Sequence, residues 1–554
     1  MDAGAAIAEI LKREGVERIF GYPLNFLFEY AAAAGIRTII SRAERTSAHM
    51  ADATSRVSSG DKIGVFACQH GPGIENSMGA IAQAYGESVP LLVLPMGYIR
   101  SQANVEPNFN SLIALRPFVK SVESVMSADQ IPHIFRRAFN QLRTGRGGPV
   151  VVEIPMDVWH EQVPEPLDYK AVQQCRYAPD PQDAKRAAEL LIRAECPIIY
   201  AGQGIHYAKA WAKLRKLAEH LGIPVMTSLQ GKSAFPESHP LSLGAGGVAV
   251  PKTVYEYLNG ADVIFGVGCS FTQSGFASAI PTTARIIHST LDPTHLNKSV
   301  RAEIGLVGDS ALALEQLQAE VESLEPNRRE WTVADAIAAT RSKWLSEWAQ
   351  RFTSNEVPLN PYRVLHELRE VVDIENTIIT HDAGSPRDQL APFWNTVNPL
   401  TYLGWGKTTQ LGYGLGLAMG AKIANPDKLC VNVWGDSAIG FTGMDFETAV
   451  RERIPILSVL LNNSSMAMEL KVMAISTQKY RTTDISGNYA ELARSLGGYA
   501  ERITEPSNIQ PALKRAIAKV NDGVPTLLEF ITSKETATSR HGKGYLPPAP
   551  MPRI

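Results

Sequence analysis

The chain has 554 residues, room for three or four domains at about 150 residues each. Its 54 Lys and Arg against 56 Asp and Glu leave a net charge of −2, so no basic field is available to hold nucleic acid, and 45% hydrophobic residues exclude a largely disordered chain. Five cysteines are too few for a disulfide-built scaffold and suit a reducing compartment. The opening MDAGAAIAEILKREG reads as an amphipathic helix rather than a signal peptide, and no run of about 18 uncharged apolar residues follows. A cytoplasmic protein without a membrane span is expected.

In the first unit, residues 1–165, Ala5, Ile7, Ile10 and Leu11 form a helical stripe that Gly15 ends. Strands are predicted over 16–20, 36–40, 62–68, 89–94 and 149–154, with a helix over 74–85. This alternation predicts a parallel α/β domain. A linker over 160–185, punctuated by Pro164, Pro166, Pro179 and Pro181, leads to a second α/β unit at 185–325. Its strands are predicted at 196–200, 223–227, 261–268 and 284–289. Its helices are predicted at 211–220 and after a cap at Asp309 or Ser310. The polar stretch 324–357, with Trp331, Trp344 and Trp348, is expected to link domains and cover surface. A third unit, 358–540, carries predicted strands at 377–380, 429–434, 456–461 and 526–531. The proline-bearing tail from His541 is expected to be a loose extension. The predicted fold class is therefore α/β, with three domains built on central parallel sheets.

Gly435-Asp436-Ser437 is followed by 24 residues and then Asn462-Asn463. Strand 429–434 delivers Asp436 at its carboxyl end, a helix over 445–452 follows, and strand 456–461 delivers Asn463 beside it. Both emerge at the sheet edge where α/β folds bind ligands. A carboxylate and an amide oxygen are hard ligands suited to Mg²⁺. The Ser465 carbonyl can complete the protein's share, and the amides of Ser437 and Ala438 can face a phosphate. A plainer reading has Asp436 capping a helix and Asn462-Asn463 forming a turn. The cysteines are scattered and propose no zinc or iron–sulfur site, and the Gly412, Gly414, Gly416 run lacks the nicotinamide fingerprint's order.

This stretch resembles the cofactor motif of thiamine diphosphate-dependent enzymes, Gly-Asp-Gly followed at a similar distance by Asn-Asn, with Ser437 at the third position. GDSAIGFTG at 435–443 also resembles GDSAFGFSG of the oxalyl-CoA decarboxylase and 2-hydroxyacyl-CoA lyase branches. Arg42, Glu44, Ala48 and Met50, then Gly71-Pro72-Gly73 with Asn76, GRGGPVVVEIPMDV at 145–158 and GKSAFPESHPLSLG at 231–244, are similar to segments of the acetolactate synthase superfamily. On these segments the chain is identified as a member of that superfamily.

The resemblance implies pyrimidine-binding, middle and diphosphate-binding domains, with thiamine diphosphate and Mg²⁺ as cofactors. It assigns Glu44 to protonation of the pyrimidine N1′, Asp436, Asn463 and Ser465 to the metal, and Ser437 and Ala438 to the diphosphate. Leu411 stands where a bulky residue supports the cofactor's bent form, and Thr409 where a backbone carbonyl receives the 4′-amino group. Gly384, Ser385, Pro386 and Arg387 replace a GQHQ-type segment, with Ser385 as a phosphate donor. Met466, with Met468, Glu469 and Leu470, follows the metal loop on the acceptor side. His70, just before the Gly-Pro-Gly turn, is expected to act on the substrate. Asn25 and Gln69 are further substrate-facing candidates, and the bulky Leu24, Asn25 and Phe26 are expected to narrow the entrance.

The implied activity is a carbon–carbon lyase or carboligase acting on a 2-oxo acid or 2-hydroxy ketone. Two alternatives stay open. One is a 2-hydroxyacyl-CoA lyase or oxalyl-CoA decarboxylase, for which the tail offers only Arg540 and Lys543 as basic residues. The other is a noncatalytic cofactor-binding relative, against which Glu44, Asp436 and Asn463 together argue. The resemblance also implies a homodimer as the minimal active unit, with a homotetramer expected. It leaves open whether the middle domain, opening at Gly202–Gly204, binds FAD or ADP.

Overall fold

The computed structural model describes residues 1–541, so the prolines of the tail, Pro547, Pro548, Pro550 and Pro552, lie outside the described residues. The strands form three six-stranded sheets, and every pairing within them is parallel. The first sheet holds β1 (Arg18–Gly21), β2 (Arg37–Ile40), β3 (Gly64–Cys68), β4 (Leu91–Gly97), β5 (Ser121–Ser124) and β6 (Pro149–Pro155), in the order 2-1-3-4-6-5. The second holds β7 (Pro197–Ala201), β8 (Val225–Thr227), β9 (Ser242–Ala245), β10 (Val263–Val267), β11 (Arg285–Thr290) and β12 (Ile304–Val307), in the order 12-11-10-7-8-9. The third holds β13 (Thr377–His381), β14 (Tyr402–Leu403), β15 (Leu429–Gly435), β16 (Leu457–Asn462), β17 (Tyr499–Ile503) and β18 (Thr526–Ile531), in the order 14-13-15-16-18-17. The first and third sheets therefore share one strand order, and the second has its own. No helix among the described residues is long and apolar enough to cross a membrane.

Covered on both faces, inner strands run mostly apolar. β3, β4 and β6 are buried at every position, which is why they are legible as near-continuous apolar runs. Five strands escape the sequence reading: β5, β9, β12, β14 and β17. Each is an edge strand of its sheet. β5 (SVES) is half-buried along its whole length, and β14 has two residues, so neither carries an inner strand's pattern.

One linker expectation is corrected and the other gains a helix. Pro181 does not belong to the linker but begins the Pro181–Arg193 helix, where a proline at the first turn forfeits no hydrogen bond; Asp180 caps it, accepting from the Gln182 N–H at 2.8 Å. The polar stretch 324–357 contains the Ala334–Phe352 helix. Trp344 and Trp348 are buried on it, stacked on Phe393 at 4.8 Å and tilted against Tyr362 at 4.9 Å, so it docks on the third unit through an aromatic cluster of its own.

The first and third units meet through two helices, Glu44–Val57 and Tyr413–Ala424, whose side chains share one apolar core. The approach depends on absent side chains. A Cβ at Gly416 would stand 2.5 Å from the His49 Cβ, and one at Gly420 2.3 Å from the Met50 carbonyl oxygen. A buried polar cluster pins the register. Arg56 Nε donates to Asp52 Oδ1 at 2.6 Å, while its Nη1 and Nη2 donate to the Gly404 carbonyl and the Tyr413 hydroxyl, both at 3.1 Å. The Tyr413 hydroxyl donates to Asp52 Oδ2 at 2.6 Å. Removing one partner of such a pair leaves an uncompensated buried charge. Arg56→Met should therefore lower stability by about 3–5 kcal/mol, read as a fall in Tm at fixed scan rate, and Arg56→Lys should recover only part of it. A wild-type Tm in Arg56→Met would contradict the role of the cluster.

Candidate active site

Two groups of predicted residues lie at the carboxyl edges of two different sheets. Asn25 follows β1, Glu44 follows β2, and Gln69 and His70 follow β3, all on the first sheet. Ser385 follows β13, Asp436 follows β15, and Asn463, Ser465 and Met466 follow β16, on the third. Loops at the carboxyl ends of parallel strands are where such folds bind ligands.

On the third sheet a cavity of about 100 Å³ is lined by Ser385, Leu411, Asp436, Ser437, Asn463, Ser465 and Met466, together with Met468 and Glu469. Asp436 Oδ2 and Asn463 Oδ1 converge on one donor, the Ser465 N–H, at 3.2 and 3.0 Å. The two oxygens that the spacing proposed as metal ligands are thus brought together at the end of adjacent strands. Asp436 is also the first residue of a helix, Asp436–Thr442, which precedes the expected one; its Oδ1 accepts the Ser437 N–H at 3.0 Å. The helix-start reading and the ligand reading therefore coexist at this residue. Burial pushes the Asp436 carboxyl up to about 6, against the N–H groups of Ser465 and Ser437 that oppose the shift.

These residues fit a divalent cation bridged to a phosphate group. The desolvated carboxylate is one that a cation would relieve. The buried Ser465 Oγ has no partner within the chain. No cluster of three His, Cys, Asp or Glu side chains able to hold a metal exists among the described residues, so outside ligands such as phosphate oxygens would have to complete the shell. The Ser465 carbonyl accepts the Ala467 N–H at 2.9 Å. Ala438 is fully buried and stands behind the cavity wall, unlike Ser437.

Glu44, His70, Gln69, Asn25 and Thr409 do not line this cavity, all of whose lining residues come from 361–532. Glu44 opens the Glu44–Val57 helix, where its charge suits the helix start, and is 8% exposed with a long contact from Asn76 Nδ2 at 3.4 Å. His70 is half-buried, edge-on to Tyr98 with ring centres 4.6 Å apart. Its Nδ1 has no partner, and burial lowers its pKa, which favours the neutral ring. Asn25 is occupied: its amide donates to the Cys68 and Leu94 carbonyls at 2.8 and 2.9 Å, and its oxygen accepts the Leu27 N–H. Of the bulky loop residues, Leu24 is exposed while Phe26 turns onto Trp159, 6.1 Å between ring centres.

A second cavity, about 400 Å³, lies against the middle sheet, with Gln203, Gly204, Gly268, Arg146, Gly406 and Lys407 in its wall. Burial pulls the Lys407 ammonium down to about 8.

Asp382 is a site residue that the sequence reading missed, since a lone aspartate at a strand end carries no spacing signal. Its Oδ1 accepts the N–H groups of Ala383 and Gly412 at 2.8 and 3.0 Å, and its Oδ2 that of Gly414 at 3.1 Å. It thereby fixes the turn after Leu411, where Gly412 sits at φ +83°.

A parallel α/β chain with carboxylate and amide oxygens converging at a strand-edge cavity has the architecture of ligand-binding α/β proteins. Comparison with known proteins narrows the class. Residues 1–113 match the thiamine pyrophosphate enzyme N-terminal TPP binding domain, 184–317 the central domain and 382–530 the C-terminal TPP binding domain. The chain is 31% identical to a probable acetolactate synthase large subunit of Methanococcus aeolicus, covering 97% of this chain and 93% of that one. It is 32% identical to the corresponding Methanocaldococcus jannaschii protein over 96% and 92%, and 27% identical to glyoxylate carboligase of Escherichia coli O157:H7 over 97% and 94%. The chain belongs to the thiamine pyrophosphate enzyme family.

Burial pushes the Asp382 carboxyl up to about 6, the three N–H donors notwithstanding. A raised carboxyl favours folding most below its ordinary value near 4 and loses that contribution as pH rises through about 6. In the cofactor-free protein, the Tm advantage of wild type over Asp382→Asn should therefore shrink between pH 4.5 and 7. A difference independent of pH would contradict the assignment.

Proposed function

We propose that the chain is a thiamine diphosphate- and Mg²⁺-dependent carboligase that acts on 2-oxo acids. The observation that carries the reading is the convergence of Asp436 and Asn463 oxygens on a cavity that also presents Ser385, Ser437 and Leu411. Relatives named acetolactate synthase and glyoxylate carboligase, alignable over nearly the whole chain, support the reaction class.

Bound thiamine diphosphate would supply the electron sink for breaking and making a carbon–carbon bond next to a carbonyl. The chain's own residues bind and orient. Asp436, Asn463 and the Ser465 carbonyl would hold Mg²⁺, with Ser385 and Ser437 toward the diphosphate. The Thr409 carbonyl takes the 4′-amino hydrogen bond, and Leu411 and Met466 pack against the cofactor. Glu44 holds and exchanges the proton at the pyrimidine N1′. His70, edge-on to Tyr98, hydrogen-bonds a substrate carbonyl. Asn25 acts through the loop it braces and Gln69 lies beside His70.

Glu44 sits on the first sheet's edge, and the cavity is built from the third unit alone, so we propose that two chains complete each site and that a homodimer is the minimal active unit, with a homotetramer as the expected assembly. The larger cavity has the size and the basic wall, Arg146 and Lys407, for a nucleotide such as FAD or ADP. Flavin absorbance of the purified protein tests for FAD, and calorimetric titration with ADP tests for ADP.

Calorimetry of thiamine diphosphate with Mg²⁺ tests the metal assignment, and isotope exchange at the cofactor's C2 tests Glu44. Asp436→Ala should lose metal and cofactor binding together. Glu44→Gln should retain binding and slow C2 exchange by about 10²-fold or more. Unchanged affinity in the first variant, or wild-type exchange in the second, would refute the respective role. Wild-type enzyme should release CO₂ from a 2-oxo acid and form a coupled product; release of an aldehyde alone would contradict carboligation.

A further inference from the structure

Within one chain, the N-terminal unit grips the segment that leads into the proposed cofactor residues. Residues 404–411 form no helix or strand, so their backbone groups need partners from elsewhere. Gln83, on the Pro72–Gly86 helix, and Glu87, just after it, supply them. Glu87 Oε1 accepts the N–H groups of Gly406 and Lys407 at 2.9 and 2.7 Å. Gln83 Oε1 accepts the Thr408 hydroxyl at 2.6 Å and the Gln410 N–H at 3.2 Å. Gln83 Nε2 donates to the Thr408 carbonyl and to Glu87 Oε1, both at 3.2 Å. His49 Nε2 donates to the Gln410 side-chain oxygen at 3.1 Å. Gln83 and Glu87 are 1% and 0% exposed, so their ends of these bonds are shielded from water.

Of the carbonyls of residues 404–411, only those of Gly404 and Thr408 accept a hydrogen bond among the described residues. Thr408 and Gln410 are held on either side, while among the described residues the Thr409 carbonyl accepts no hydrogen bond. A carbonyl left free between two clamped neighbours is aimed and available. We infer that Gln83 is a positioning residue for cofactor binding. It sets the Thr409 carbonyl and, two residues on, Leu411, with Glu87 anchoring the start of the segment. This rests on the reading of Thr409 and Leu411 as cofactor contacts. Gln83 touches neither cofactor nor substrate and acts through the backbone it holds.

Two readouts separate this inference from that reading. The first is hydrogen exchange of the 404–412 amides in the cofactor-free enzyme, followed by mass spectrometry. The second is titration of thiamine diphosphate with Mg²⁺. Thr408→Val removes the hydroxyl at an exposed position and should fold normally, and Thr408→Ser keeps it. Thr408→Val and Gln83→Ala should speed exchange of the segment by about tenfold and weaken cofactor binding by about tenfold, with Thr408→Ser behaving as wild type. Tm of Thr408→Val should equal that of wild type. Wild-type exchange and affinity in both variants would overturn the inference. So would faster exchange with unchanged affinity, or an affinity loss confined to Gln83→Ala and matched by a fall in its Tm. A wild-type enzyme that binds no thiamine diphosphate would overturn the cofactor reading itself, and with it the purpose of the grip.

Discussion

The contact between the Glu44–Val57 and Tyr413–Ala424 helices is the constraint on which the rest depends. Gly416 and Gly420 let the two backbones close to a distance that no Cβ would permit. At that distance Asp52, Arg56 and Tyr413 can share their hydrogen bonds in a site without water. Arg56 also reaches the Gly404 carbonyl, so the contact fixes the start of the 404–411 segment. Helix packing, a buried ion pair and the placement of proposed cofactor residues are thus one arrangement. A change in the helix approach would reach Thr409 and Leu411 through covalent continuity.

The same contact bears on the proposal that one chain carries two half-sites rather than one site. It seats the first unit against the third through helix faces, leaving the carboxyl edges of the two sheets to present their residues separately. The Asp436 cavity is lined by residues 361–532, and Glu44 remains with Asn76 on the other sheet's edge. The shared strand order of the first and third sheets gives each half-site the same kind of platform. The Pro72–Gly86 helix serves both roles of its unit, with Asn76 near Glu44 and Gln83 on the 404–411 segment.

What the sequence discloses follows from where physical demand is concentrated. Inner strands such as β3 and β4 are buried on both faces, run almost wholly apolar and can be read directly. Edge strands such as β5 and β14 carry no such demand, and they are the ones that escape notice. Asp436 and Asn463 were legible because adjacent parallel strands set a narrow spacing between them. Glu44 was legible only through a family resemblance, since a single glutamate at a helix start is ordinary. Gln83, Glu87 and Asp382 left no trace in the sequence. Their role is to satisfy particular backbone amides more than twenty residues away in the chain, and no local pattern encodes that.

The central proposal is that Glu44 of one chain works with Asp436 of another, and complementation tests it most directly. Glu44→Gln and Asp436→Ala, each inactive alone, can be co-expressed at equal levels with separate tags. Random pairing makes half of the dimers mixed, and each mixed dimer then holds one site with both native residues and one with neither. The mixture should recover about a quarter of wild-type specific activity. No recovery above either variant alone, with mixed dimers demonstrated by sequential tag purification, would contradict it and return Glu44 and Asp436 to a single chain.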